Sequence, residues 1–335
     1  MFESRLFRRH VVRPPTRTGF FLLVLTSLWL NGGTDKAMAG NVNGDADIER
    51  RIERHLRELT VNIGDRSTSR PAALERARDY IRLELEGAGL DVAEQPYEFR
   101  GLPVANIIAT LPGTDPAVPY YLVGAHYDTV FGTPGADDNA SAVAVLLELA
   151  RKLAARPPTA PVKLVAFTLE EPPAFNSRHQ GSRVFTRRLE ESNEEVLGAV
   201  VLEMVGYTSA RQDYPLALTW AGYPDEGNYI AIVSNWRSRR FAKTLLEGFR
   251  ANPGLPVESL FVPFNGWVLP DVRLSDHASF WDKGIPAVMV TDTAFFRNPH
   301  YHGPSDKMET LDIPFMAQLV ESLEKALEAL GGPGR

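Results

Sequence analysis

Five short apolar runs, at residues 104–110, 119–125, 162–168, 198–204 and 286–292, alternate with stretches of helical periodicity, and that rhythm admits few folds. Each run is apolar at nearly every position rather than at every second one, which marks a strand covered on both faces. Helical patterns fill the intervals. Ile48, Ile52, Leu56 and Leu59 recur among charged residues before Gly64, and a second helix opens at Pro71 and closes at Gly87 and Gly89. Val143, Leu146, Leu147 and Ala150 share one side of the stretch 141–153, shorter patterns stand at 185–190 and 241–249, and 313–330 closes the chain. The expected class is α/β, a mixed and largely parallel central sheet with helices on both faces. Residues 207–274 are irregular and rich in aromatics, Gly and Pro, and are expected to form an insertion that walls a site. Within it Trp220, Tyr223, Phe261, Phe264 and Trp267 form either core or a hydrophobic specificity pocket.

The first 39 residues differ from the rest. Arg5, Arg8, Arg9, Arg13 and Arg17 precede a twelve-residue apolar run at 19–30, and Ala37-Met38-Ala39 offers a small-x-small cleavage site. Such a run is shorter than the roughly 17–25 residues of a spanning helix. Residues 1–39 are therefore expected to be a signal peptide, with an uncleaved signal-anchor as the rival. Residues 40–335 then form a single exported domain, periplasmic or secreted, with no stable membrane anchor after cleavage and a monomeric state. Arg8-Arg9 is a poor match to a twin-arginine signal because His10-Val11-Val12 follows it. The chain has no cysteine, so any metal must be held by nitrogen and oxygen. Six Lys/Arg against Glu3 and Asp35 give the first 39 residues +4, so the whole chain's −6 leaves −10 beyond them. A nucleic-acid partner needs a basic surface and is excluded on that balance.

Chemistry-bearing side chains follow the ends of these runs, where open α/β sheets build their sites. His126 stands two residues ahead of Asp128, a carboxylate able to take the second ring N–H of a ligating imidazole. Asp137 and Asp138 precede the helix at 141–153, and two acids after Gly135 exceed what one helix cap requires. Glu170 and Glu171 end another run; neighbours in an extended segment point to opposite sides, so one can hold a metal while the other faces a substrate. Glu203 ends an apolar run, where burial demands a cation or an arginine partner. In Pro299-His300-Tyr301-His302, His302 is the ligand candidate, His300 a structural residue, and the Tyr301 hydroxyl a donor to a developing oxyanion. His10, His55 and His179 receive no function. Two imidazoles and four carboxylates without a thiol suit a hydrolytic site built on two divalent metals.

With these residues assembled, the chain resembles peptidase family M28, zinc aminopeptidases with co-catalytic metals. The resemblance runs through Ala125-His126-Tyr127-Asp128, residues 135–141, Glu170-Glu171, Leu202-Glu203-Met204, Ser275-Asp276-His277 and Tyr301-His302. It implies a phosphorylase/hydrolase-like zinc exopeptidase architecture. It also implies that His126 and Glu203 each serve one metal, that Glu171 and His302 complete the pair, and that Asp138 rather than Asp137 bridges. Glu170 would be the general base, with Asp276 and His277 supporting the site from behind. The implied cofactor is Zn2+, two per chain, and the implied substrate a peptide with a free N-terminus. Ala142 stands where the family has Gly, Glu203 where Asp is commoner, and Thr168-Leu169 where Trp-Gly is frequent. Glu is one methylene longer than Asp, so a single zinc stays open. The rivals are a glutaminyl cyclase-like single-zinc cyclotransferase and a binding domain that has lost its ligands. Retention of His126, Asp138 and the glutamate pair speaks for hydrolysis over both.

Overall fold

A computed structural model describes residues 42–111, 118–192, 194–214, 218–219 and 221–331; the expected signal at 1–39 and Trp220 lie outside them. Its strands are β1 Asp91–Phe99, β2 Leu102–Thr110, β3 Tyr120–His126, β4 Val162–Phe167, β5 Val196–Glu203, β6 Ile230–Asn235, β7 Val257–Val262 and β8 Ala287–Thr291. Its helices are α1 Val42–Arg57, α2 Pro71–Gly87, α3 Ala142–Ala155, α4 Gly181–Ser192, α5 Arg239–Arg250, α6 His277–Asp282 and α7 Ile313–Leu330. The strands form one sheet in the order β1-β2-β4-β3-β5-β8-β6-β7. The central strands β4, β3, β5 and β8 are parallel, whereas β2 pairs antiparallel with β1 and β4, and β6 antiparallel with β8. The expected mixed, largely parallel sheet is what the chain builds.

Side-chain alternation explains why the central runs are apolar throughout. Val123, Ala125, Leu164, Ala166, Val200, Leu202, Val288 and Val290 point into one core, shared with α1, α2, α3, α5 and α7. Their neighbours Leu122, Val165, Phe167, Val201 and Met289 point into a second core with Phe185 of α4 and Phe280 and Trp281 of α6. Both faces being covered, the interiors of these strands are apolar except for Lys163, whose Nζ reaches Glu194 at 2.8 Å, and polar residues otherwise stand at strand ends. Among the described residues no helix is long and apolar enough to cross a membrane.

Two features depart from the sequence reading. Strand β1 was not anticipated: it is an edge strand with mostly exposed or half-exposed side chains and Pro96 inside it, so it has no apolar run to announce it. The stretch 207–274 is not an irregular insertion around the expected helix at 241–249, α5, because it also carries β6 and β7, which extend the sheet beyond β8. Of its aromatics, Tyr223 lines a cavity. Phe261 and Phe264 are 47% and 76% exposed and lie outside both cores, whereas Trp267, 64% exposed, lines a second cavity with Pro270 and Arg273.

Candidate metal centre

His126 is the last residue of β3, Glu203 the last of β5, and Glu170 and Glu171 follow β4 after Thr168 and Leu169. Three parallel strands therefore deliver their C-terminal residues to one edge of the sheet. Asp138 arrives there on the turn Ala136–Ser141 that opens α3, and His302 on the loop after β8. The result is two overlapping groups, His126 with Asp138 and Glu203, and Asp138 with Glu171 and His302, each with ligand atoms all within 4.8 Å of one another. Asp138 belongs to both. Its Oδ1 lies 3.4 Å from His126 Nε2 and its Oδ2 3.2 Å from His302 Nε2. Glu203 Oε1 is 3.4 Å from His126 Nε2, and Glu171 Oε2 is 3.4 Å from His302 Nε2.

Hydrogen bonds from distant parts of the chain fix these residues. The Asp306 carboxylate accepts the backbone N–H groups of Asp137 (2.9 Å) and Asp138 (3.1 Å). Asn139 donates to the Leu202 carbonyl (3.1 Å) and accepts from Met204 N–H (2.9 Å), which locks the Asp138 turn to the end of β5. Asp137, the acid not chosen from sequence, accepts from Gly206 N–H (2.9 Å) and Asn298 Nδ2 (2.6 Å). Glu203 Oε2 accepts from Ser275 Oγ at 2.7 Å, which leaves Oε1 for His126. Asp128 does more than orient His126: its carboxylate accepts the N–H groups of Glu170 (3.0 Å) and Glu171 (3.1 Å). It also lies 3.5 Å from His126 Nδ1, whose distance to the Asp128 carbonyl is 3.2 Å.

Arg66 holds the loop that joins His126 to Asp138. Its buried guanidinium donates to the carbonyls of Tyr127 (2.8 Å), Leu59 (2.9 Å), Gly64 (3.1 Å), Pro134 (2.7 Å) and Gly135 (2.9 Å). Gly135 is required at the turn, since it has φ +57° and a Cβ there would stand 2.4 Å from the Asp138 carbonyl oxygen. Leu169, Met204 and His302 also have positive φ, of 57°, 45° and 55°. Such conformations cost about 1–3 kcal/mol each in non-glycine residues and persist where the surroundings over-determine them. Each of the three is a site residue or sits next to one.

The electrostatics are those of buried acids crowded around two imidazoles. Burial, and then the charge of Asp138, push Glu171 up to about 8 despite His302. Burial also raises Glu170 well above its ordinary value, with His126, Glu203, Glu171 and Asp276 as its charged neighbours. Burial would raise Asp138 too, but its bonds to His126 and His302 hold it below the usual carboxylate range. Desolvation opposes charge on His302, yet Asp138 and Glu171 raise it to about 10. Glu171 Oε1 is buried without a hydrogen-bond partner among the described residues. A pocket of imidazole and carboxylate donors with an orphaned carboxylate oxygen fits a zinc-type divalent cation.

Tyr301 stacks on the His302 ring, with centroids 3.7 Å apart and planes 20° from parallel. Asp276 accepts from Gln180 Nε2 at 2.9 Å, and its Oδ2 has no hydrogen-bond partner among the described residues; burial raises it to about 6, against the pull of His126. His277 does not reach the cluster as expected. Its Nε2 donates to the Val272 carbonyl at 2.8 Å, its ring packs 4.4 Å from that of Trp281, and burial lowers it to about 3. Arg66, Asp306 and Ser275 were given no role from sequence. Only Ser275, next to Asp276, carried a local signal. A cavity of about 170 Å³ opens beside Glu203 and Tyr301, with mostly apolar walls.

A family model described as peptidase family M28 matches residues 106–326. The chain is 38% identical to the uncharacterized protein YfbL of Escherichia coli K12, over 81% of this chain and 85% of that one. It is 28% identical to a probable leucine aminopeptidase of Trichophyton verrucosum, over 68% of this chain but about half, 55%, of that longer protein. Similar solved structures include the Legionella pneumophila LapA aminopeptidase, with TM-score 0.67 and 20% identity over 90% of this chain and 78% of that one. A zinc aminopeptidase from Bacillus subtilis has TM-score 0.65 and 16% identity, covering 83% and 94%. The Porphyromonas gingivalis glutaminyl cyclase has TM-score 0.62 and 21% identity, covering 85% and 97%. At these identities the structural likeness speaks for the fold.

Proposed function

The chain belongs to peptidase family M28, and from that premise we propose that it is a zinc-dependent aminopeptidase releasing the N-terminal residue of peptides. His126 and Glu203 would hold one ion and Glu171 and His302 the other, with Asp138 able to offer one oxygen to each. The observation that carries this reading is that Asp138 Oδ1 and Oδ2 face different imidazoles, at 3.4 and 3.2 Å. Zinc in such a site supplies Lewis acidity and lowers the pKa of a bound water from about 15.7 towards about 7.

The protein's own groups do the rest. Glu170, buried and raised by burial, takes the proton of the attacking water and returns it to the leaving amine, a role worth roughly 10²–10⁴ in rate. Tyr301, held by stacking on His302, donates to the carbonyl oxygen as charge grows on it. Asp128 fixes the backbone that carries the two glutamates by accepting both of their N–H groups. Asp276 places a further acid behind His126 and Glu203. We assign an exported protein, from the basic, apolar and small-residue order of residues 1–39.

Glu170→Ala should keep zinc and lose turnover, whereas Glu171→Ala should lose zinc as well; equal metal loss in the two purified variants overturns this division of roles. A peptide beginning with Gln should release glutamine, and release of ammonia instead would mean a cyclase.

A further inference from the structure

Strands β5, β8, β6 and β7 are successive neighbours, and one row of paired residues runs straight across them: Glu203, Thr291, Ala231 and Glu258. Cross-strand partners point to the same face of a sheet, and all four line the cavity beside the metal centre. The row thus begins at a metal-centre carboxylate and ends at a second carboxylate, three strand spacings or roughly 14 Å away between Cα atoms. Between them stand only Thr291 and Ala231, so the floor is open. The adjoining row, Met289, Val233 and Leu260, is apolar.

Glu258 is poorly neutralised where it stands. Among the described residues its carboxylate makes no ion pair or hydrogen bond, and the cation that acts on it, Arg250, does so only through space. Burial accordingly raises it above the ordinary glutamate range. Arg297 lies beyond the Tyr229 ring, 4.6 Å from its centroid, and is engaged by Gln212 Oε1 at 2.8 Å. Tyr214, Tyr223 and Tyr229 line the same cavity, and the charge of Glu258 acts on all three phenols. A half-buried carboxylate among aromatic rings is costly alone and favourable with a cation, which the ring faces also attract. The exposed Asp271 adds a second negative charge to the cavity lining.

We infer that this cavity takes the side chain of the residue to be released, and that Glu258 selects a long side chain ending in a cation, lysine or arginine. The inference rests on the aminopeptidase reading above. A leucine side chain covers only the Thr291 and Ala231 part of the floor. Lysine and arginine continue to Glu258, with their methylene stems laid on Val233 and Leu260.

The discriminating substrates are lysyl- and norleucyl-p-nitroanilide, which differ by the terminal ammonium. For the zinc-loaded full chain, kcat/KM should favour the lysyl substrate at least tenfold, and Glu258→Gln should cut that ratio at least tenfold, mainly through KM. Glu258→Asp should retain part of it. Equal ratios in wild type and Glu258→Gln, or a wild type that prefers norleucine, overturn the assignment. A second measurement separates this inference from the reading beneath it. n-Butylammonium, titrated by calorimetry, should bind wild type more tightly than Glu258→Gln, while 1-butanol should not distinguish them. Loss of that difference overturns the cation site even if peptides are cleaved. If the difference holds but no aminoacyl substrate is cleaved, the aminopeptidase reading fails and the assignment of released-residue selectivity falls with it.

Discussion

At the Glu203 end of the sheet row Glu203, Asp138, Glu170 and Glu171 are tied down, by side chain or backbone, by Ser275, Asp306 and Asp128, and Asn139 and Arg66 hold the turn that carries Asp138. At the Glu258 end the carboxylate has no such tie among the described residues, and loops and aromatic rings stand around it. Both ends stand on the same sheet and line the same cavity. The contrast follows from what each end has to do. Two cations need donors fixed within a fraction of an ångström, and the distant hydrogen bonds supply that precision. Recognition of a side chain needs only shape and a charge at the right depth, which Glu258 on the edge strand β7 supplies among the loop-borne rings of Tyr214 and Tyr223.

Substitutions at the tied end should damage metal binding first. Asp138→Ala is expected to have the largest effect, with zinc content and turnover both falling to background in elemental analysis and kinetic assay. If zinc stays bound at full stoichiometry without Asp138, the bridge is misassigned. Arg66→Met should come next, because it strands several buried carbonyls at about 1–3 kcal/mol for each left unpaired. A thermal melt should show a loss of several kcal/mol, and an unchanged midpoint would mean the loop is held by other contacts. Ser275→Ala frees one oxygen of Glu203 and should weaken zinc by roughly 10–100-fold in a chelator competition, with little change in stability.

Protons compete for the same end. In the metal-free protein Glu171 is raised to about 8 and His302 to about 10, so both are largely protonated at neutral pH and must release protons when a cation binds. Apparent zinc affinity should therefore rise from about pH 6 to about pH 8, and proton release should appear as a buffer-dependent heat. A flat profile would argue against these two ligands. The smallest effect is expected outside both ends: Trp267→Ala removes an exposed ring lying 3.9 Å from the Arg273 guanidinium and should cost only about 0.5–1 kcal/mol, with zinc content untouched.

How much was legible in the sequence follows the same divide. Strands β3, β4, β5 and β8 announce themselves as apolar runs because both their faces are buried, and His126, Glu170, Glu171 and Glu203 stand out as charges that end such runs. Asp138 could be separated from Asp137 only through the family resemblance, since both are buried acids in one turn. Strands β1 and β7 stayed hidden because they are half-exposed edges. β6 was hidden by its irregular flanks. Arg66 and Asp306 were invisible for another reason: each acts on backbone groups far away in sequence, and no local pattern marks such a partner. His277 shows the converse, a conspicuous residue in a matching segment whose ring is spent on Trp281 and the Val272 carbonyl.

Anomalous diffraction at the zinc edge, from crystals grown with zinc, tests the central claim most directly. Two peaks should flank the Asp138 carboxylate, one against His126 and Glu203 and the other against Glu171 and His302, within about 4 Å of each other. A lone peak away from Asp138, or none between His126 and His302, would contradict the account.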